Sequence, residues 1–95
     1  MLLAAAVVRQ AAKDYRDLLV KEKYYRNRNE RLDRNVRLES DNYYRSLSDQ
    51  IKDLEDFFYD ETNLFLRTAD GGAIADKIRD SVANDEPIAY ERLMY

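Results

Sequence analysis

Along the first quarter of the chain, apolar residues recur at Ala4, Val8, Ala11, Tyr15, Leu18 and Leu19, with Lys13, Asp14, Arg16 and Asp17 between them. Steps of three and four follow one face of a helix with about 3.6 residues per turn, so the pattern predicts an amphipathic helix from Leu3 to about Arg26. Asn27-Arg28-Asn29 supplies residues that tolerate a helix end. In the stretch from Glu30 to Glu39 only Leu32, Val36 and Leu38 are apolar. Residues 27–39 therefore read as a weakly apolar, basic connector: a short helix, a solvated extension of the next helix, or a loop ordered by a partner.

A second helix is predicted to begin near Ser40 or Asp41, either of which can cap it, and to bury Tyr44, Leu47, Ile51, Leu54 and Phe58. Glu61 to Ala69 reads as a short helix presenting Leu64, Phe65 and Thr68 to the core. Asp70-Gly71-Gly72 ends it, and this Gly-Gly pair is expected to reverse the chain through φ > 0. A last helix from Ala73 to Ala83 carries Ile74, Ile78 and Val82 at four-residue spacing, and Asn84 to Pro87 stops it. Residues 84–95 form an apolar tail that includes Ile88, Tyr90, Leu93, Met94 and Tyr95. It is too short to stand alone as a helix and is expected to dock on its own bundle or on another subunit.

These elements predict an all-α fold, a small helical bundle of three to five helices with a long amphipathic first helix, occupying residues 1–95 as a single domain. Composition agrees: 95 residues with 45% hydrophobic and 37% charged side chains, two glycines and one proline. Leu54, Phe57, Phe58, Gly71 and Gly72 are expected to be structural, since the segment around them holds all three phenylalanines and both glycines.

The chain has no cysteine and no histidine. That removes disulfides, thiolate metal sites, cysteine nucleophiles, the usual neutral-pH general base and the commonest metal ligand. No enzymatic activity, cofactor or metal is expected. Met1 to Val8 is apolar, but no basic segment precedes it and Arg9 interrupts it, so neither a signal peptide nor a membrane span is predicted. The expectation is a protein of the cytoplasm.

Lys21 to Arg37 carries seven basic and three acidic residues and includes Tyr24 and Tyr25, a mixture that suggests nucleic acid. Glu30 with Arg34, and Asp33 with Arg37, stand four apart in the favourable order, which reads as a laced solvent-facing helix instead. Residues 38–66 then hold eight acids against two bases, and the chain as a whole is at −3. Nucleic-acid binding is therefore disfavoured, although it remains a possible partner class. The acidic run from Asp49 to Glu61 reads as a solvated face, since apolar side chains take the inward positions.

Tyr-Tyr-Arg occurs twice, as Tyr24-Tyr25-Arg26 and Tyr43-Tyr44-Arg45. Adjacent tyrosines on a helix cannot both face one core, so at least one of each pair is expected at the surface, where Tyr and Arg are enriched in interfaces. Candidate contact residues are Tyr24, Tyr25, Arg26 and Tyr43 with Arg45, together with Arg28, Arg31 and Arg34 of the connector. The tail adds Tyr90, Leu93 and Tyr95.

Gln10-Ala11-Ala12-Lys13-Asp14-Tyr15-Arg16, Leu54-Glu55-Asp56-Phe57-Phe58 and Asp70-Gly71-Gly72-Ala73-Ile74-Ala75-Asp76-Lys77-Ile78 resemble, in this order, a group of small proteins common in phages and prophages of Gram-positive bacteria. The resemblance spans about half of the chain. It departs at the Arg- and Tyr-rich stretch from Tyr24 to Tyr44, at Tyr59-Asp60 and at the tail. The shared positions are mostly core and turn, so the resemblance brings no active-site residue with it. It implies a non-enzymatic protein that binds a host protein or complex and inhibits or redirects it, in an anti-defence role such as an anti-CRISPR, within the cytoplasm of a bacterial host. A homo-oligomer is expected, because the tail and one tyrosine pair offer apolar surface to a second copy. Two alternatives are a nucleotide-sequestering oligomer using Tyr and Arg clamps and a nucleic-acid-binding accessory protein using Lys21 to Arg37.

Overall fold

The computed structural model describes residues 2–32, 41–66 and 70–93, with side chains from 5–28, 41–66 and 70–93. The fold is all-α. Helix α1 spans Leu2–Leu32, α2 spans Asn42–Tyr59 and α3 spans Gly71–Ala83, with short 3-10 turns at Leu64–Leu66 and Tyr90–Arg92 and no strand among the described residues. The long first helix is the spine, touching α2, α3 and both 3-10 turns.

Its inward stripe is Val8, Ala12 and Tyr15, each fully buried. Ile51 and Phe58 of α2, Leu66, and Ile74, Ala75 and Ile78 of α3 close over that stripe. Tyr15 and Phe58 meet with ring centroids 5.7 Å apart, and Phe57 packs edge-on to Phe58 at 5.3 Å. Phe57 and Leu54 are only half-buried, lining the rim of the core that Phe58 fills.

Tyr15 carries a hydroxyl into this apolar centre, and the hydroxyl donates to Glu55 Oε2 at 3.2 Å. Arg79 Nη1 reaches the same oxygen at 3.0 Å, while its Nη2 bonds Asp76 and the Tyr59 hydroxyl. Burial, reinforced by the Glu55 carboxylate, pushes the Tyr15 phenol well above its ordinary range, so it stays a neutral donor.

Three helix ends follow from local chemistry. Asp41 caps α2 by accepting from the Tyr44 N–H at 3.1 Å, and Asp70 caps α3 by accepting from the Ala73 N–H at 3.0 Å. At the far end of α3, Glu86 N–H bonds Ser81 O at 2.8 Å and Asp85 N–H bonds Val82 O at 3.4 Å, the paired closure of a Schellman motif. Helix α1 reaches across to this cap. Arg16 donates to Ser81 Oγ and to the Glu86 carbonyl, and Lys23 donates to the Val82 carbonyl and pairs with Asp85 at 3.1 Å. Cations at a helix C-terminus meet the negative end of its dipole.

Several sequence expectations need correction. Asn27-Arg28-Asn29 does not end α1, which continues to Leu32; two asparagines cost well under about 1 kcal/mol each in a helix, and their arginine and glutamate neighbours are good helix formers. Residues 33–40 of the connector lie outside the described residues, as does Thr68. Between Glu61 and Leu66 only a single 3-10 turn forms, and it inverts the expected facing: Leu66 is buried, whereas Leu64 is 80% and Phe65 44% exposed.

Neither glycine has positive φ; among the described residues it is Asp85 that is left-handed, at φ 53°. The need for glycine at 71 is steric. Gly71 opens α3 directly against the end of α2, where a Cβ would lie 1.9 Å from the Phe58 carbonyl oxygen and 2.7 Å from Leu66 Cδ1. At Gly72 the nearest atom, Tyr59 Cε1, is 3.1 Å away.

The tail docks on its own bundle. Ile88, Tyr90 and Leu93 pack against the core, and Lys13 Nζ sits 5.7 Å from the centroid of the Tyr90 ring. The area argument for a second copy therefore does not apply to these three residues; Met94 and Tyr95 lie outside the described residues.

Gly71→Ala should destabilise the fold by about 1–3 kcal/mol through overpacking against a backbone oxygen. Gly72→Ala should stay within about 1 kcal/mol of the wild type, because mild crowding is offset by better helix propensity. Phe58→Ala should cost about 3–5 kcal/mol by leaving a cavity beside Tyr15. Urea unfolding of the three variants measures all of these differences.

Candidate interaction surface

The two Tyr-Tyr-Arg segments meet in space. Helix α2 returns alongside α1, so that Tyr43 and Tyr44 at its start lie beside Tyr25, with ring centroids 4.9 Å and 6.5 Å away. Arg26 lies 5.1 Å from the centroid of the Tyr44 ring and donates to the Tyr44 hydroxyl. Tyr44 is buried and anchors the group; Tyr25 is half-buried between the other two rings. Aromatic pairs of this kind contribute about 0.5–1.5 kcal/mol each beyond area burial.

Asp41 ties the cluster to the helix start. Its carboxylate accepts from Tyr25 and from the Tyr44 backbone, and these hydrogen bonds hold its pKa below the usual carboxylate range. One aspartate thus caps α2 and fixes a tyrosine of α1.

Tyr24 and Tyr43 face outward, 73% and 52% exposed, and Arg26, Arg28 and Arg45 are exposed beside them. Spacing assigns Tyr44 to the core and Asp41 to the cap of α2; that Asp41 also accepts from Tyr25 depends on how α2 lies against α1, which no local pattern signals. Tyr90 and Leu93 belong elsewhere, beside Lys13 and the bundle core. Lys13 is twelve residues before Tyr25 on one helix, about 18 Å at 1.5 Å per residue. The Arg31 side chain, Arg34 and Tyr95 lie outside the described side chains.

Two of the grooves that flank α1 collect charged side chains. One, of about 460 Å³, runs between α1 and α3 and includes Lys23, Arg26 and Arg79. Its cations are committed internally: Lys23 to the α3 cap, Arg26 to Tyr44, and Arg79 to Glu55 and Asp76. The other, of about 370 Å³, lies between α1 and α2 and gathers Asp14, Asp17 and Asp53. Asp14 accepts from Gln10 at 3.0 Å and Asp17 pairs with Lys21 at 2.9 Å. Among the described residues no carboxylate cluster is arranged to hold a metal ion, and no helix is long and apolar enough to cross a membrane.

The chain matches no family model, no curated protein and no solved structure.

Asp41→Ala should lower stability at neutral pH by removing both the cap and the hold on Tyr25. The sign of the pH dependence follows from the depressed folded-state pKa: the carboxylate's contribution is present above its unfolded value of about 3.9 and is lost as pH falls through the lower folded value. The stability difference between wild type and variant, read by urea titration at a series of pH values, should therefore shrink on acidification through that window.

Proposed function

We propose that this chain is a non-enzymatic binding protein whose tyrosine-arginine end grips a partner protein. The observation that carries the reading is the outward Tyr43, packed on Tyr25 beside a buried Tyr44 and the Asp41 cap, with Tyr24, Arg26, Arg28 and Arg45 exposed on the same two helix segments. Side chains held in place before contact lose little conformational freedom on binding, and Tyr and Arg are the residue types that most often dominate interface energy.

The resemblance to small phage and prophage proteins supports a host complex in the bacterial cytoplasm as the target, and inhibition or redirection of that complex, in the manner of an anti-defence or anti-CRISPR protein, as the outcome. The absence of histidine and cysteine fits a protein that acts by occupancy. Tyr25 and Tyr43 pack against each other at 4.9 Å with their planes tilted by 59°, so within one copy no base fits between these two rings, which favours protein contact over a clamp made by this pair.

The test is capture from a bacterial host lysate on full-length protein, compared with a Tyr24→Ala/Arg45→Glu variant. Both sites are exposed, so the variant should keep its thermal midpoint. A complex retained by the wild type should be lost by the variant, and with that complex purified the affinity should fall by roughly tenfold or more. Equal retention by both proteins would refute the reading, and a nucleotide co-purifying one-to-one would favour the sequestering alternative.

A further inference from the structure

Leu64 and Phe65 are the exposed large side chains among the described residues that carry no polar atom. Their exposure is enforced. Asp60 Oδ1 accepts from the Thr62 N–H at 2.9 Å and from its hydroxyl at 2.7 Å. Asn63 Oδ1 accepts from the Phe65 N–H at 3.0 Å, while Asn63 Nδ2 donates to the Phe57 carbonyl at 2.9 Å. Buried Leu66 pins the far side of the loop. A loop so braced cannot fold its apolar pair inward, and Phe65 instead stacks on half-buried Phe57 with centroids 6.4 Å apart.

The chain segment around the pair carries one sign of charge. From Asp53 to Leu66 there are five acidic residues and no basic one, with Lys52 and Arg67 bounding the run. Glu55 is turned inward to Tyr15 and Arg79, whereas Asp53, Asp56, Asp60 and Glu61 are exposed. Asp53 lies one helical turn before Phe57 on α2, and Glu61 lies three residues before Leu64 in the loop, so the segment that carries the apolar pair also carries exposed carboxylates.

We propose that Leu64, Phe65 and Phe57 form a second docking surface, for a basic amphipathic helix of another protein, whose apolar stripe covers the pair while its lysines or arginines meet Asp53, Asp56 and Glu61. Charge complementarity selects this occupant: an anionic lipid surface or a second acidic face would be repelled, and an apolar helix with a cationic border satisfies both halves of the patch. The surface is separate from the tyrosine-arginine end. Phe57 lies thirteen residues beyond Tyr44 on α2, about 20 Å along its axis. The two surfaces have opposite charge character, so one molecule can hold two different partners together.

The probe is a labelled helical peptide of roughly five turns with leucine on one face and lysine on the other, titrated with full-length protein by fluorescence anisotropy at physiological salt. Saturable binding by the wild type is expected. Leu64→Ser/Phe65→Ser should weaken it by about tenfold or more without moving the thermal midpoint, and Asp56→Lys/Glu61→Lys, which leaves the loop bonds intact, should do the same. Tyr24→Ala/Arg45→Glu should bind the peptide as the wild type does, which separates this surface from the first. The proposal is overturned if the wild type does not bind, if the charge-reversed variant binds equally well, or if a peptide with glutamate in place of lysine binds as tightly. It is also overturned if light scattering shows a wild-type dimer that Leu64→Ser/Phe65→Ser converts to monomer, since the occupant would then be a second copy.

Discussion

The other described elements of this protein are all held against one helix, α1, and its buried stripe is the centre of the core. Val8, Ala12 and Tyr15 are fully buried, and α2, α3 and both 3-10 turns touch the helix that carries them. A small bundle has little apolar area to spare, so placing a tyrosine at its centre is consequential. The ring supplies area against Phe58 while the hydroxyl must find a partner, and Glu55 supplies one. Glu55 is then tolerated at the core margin because Arg79 of α3 neutralises it, and Arg79 in turn brings Asp76 and Tyr59 into line. One buried hydroxyl thus links all three helices through polar groups whose partners are specified, which fixes their rotation about one another more tightly than apolar contact alone.

The same spine separates the molecule into chemically different regions. Toward its C-terminal half, α1 meets the start of α2 in a stacked tyrosine cluster with exposed arginines. Farther along α2 the surface turns acidic and ends in the braced loop that presents Leu64 and Phe65. Arginine and tyrosine mark one end, and carboxylates with an exposed apolar pair mark the other.

The helical periodicity was legible where burial alone decides structure. A start of α2 near Ser40 or Asp41 follows from capping, and Asp41 is the cap; of the five residues that spacing turns inward, Tyr44, Leu47, Ile51 and Phe58 are buried and Leu54 is half-buried. It was misleading where short-range hydrogen bonds or close approach decide. Leu64 and Phe65 continue an apolar pattern, yet Asp60 and Asn63 turn the backbone so that only Leu66 goes inward. Gly71-Gly72 signals unusual backbone geometry, but the constraint is the Phe58 carbonyl from another helix, which no local pattern reveals. The tyrosine pairs were visible as surface candidates; their stacking on each other depends on how α2 returns along α1, a tertiary relation. The left-handed residue fell to Asp85, a position that paired closure of the α3 cap requires and that aspartate tolerates.

The grip of Arg16 and Lys23 on the end of α3 joins residues 59 to 70 positions apart. On a ribosome, α1 is made first and its partners last. At about 5–20 residues per second, the stripe around Tyr15 waits roughly 3–13 s for Val82 to be synthesised. Ile51 and Phe58 of α2 are made earlier in that interval, so the side of the stripe that stays uncovered to the end is the one that Ile74, Ala75 and Ile78 of α3 close. The charged residues interleaved along α1, Lys13, Asp14, Arg16 and Asp17, keep that apolar face narrow while it waits.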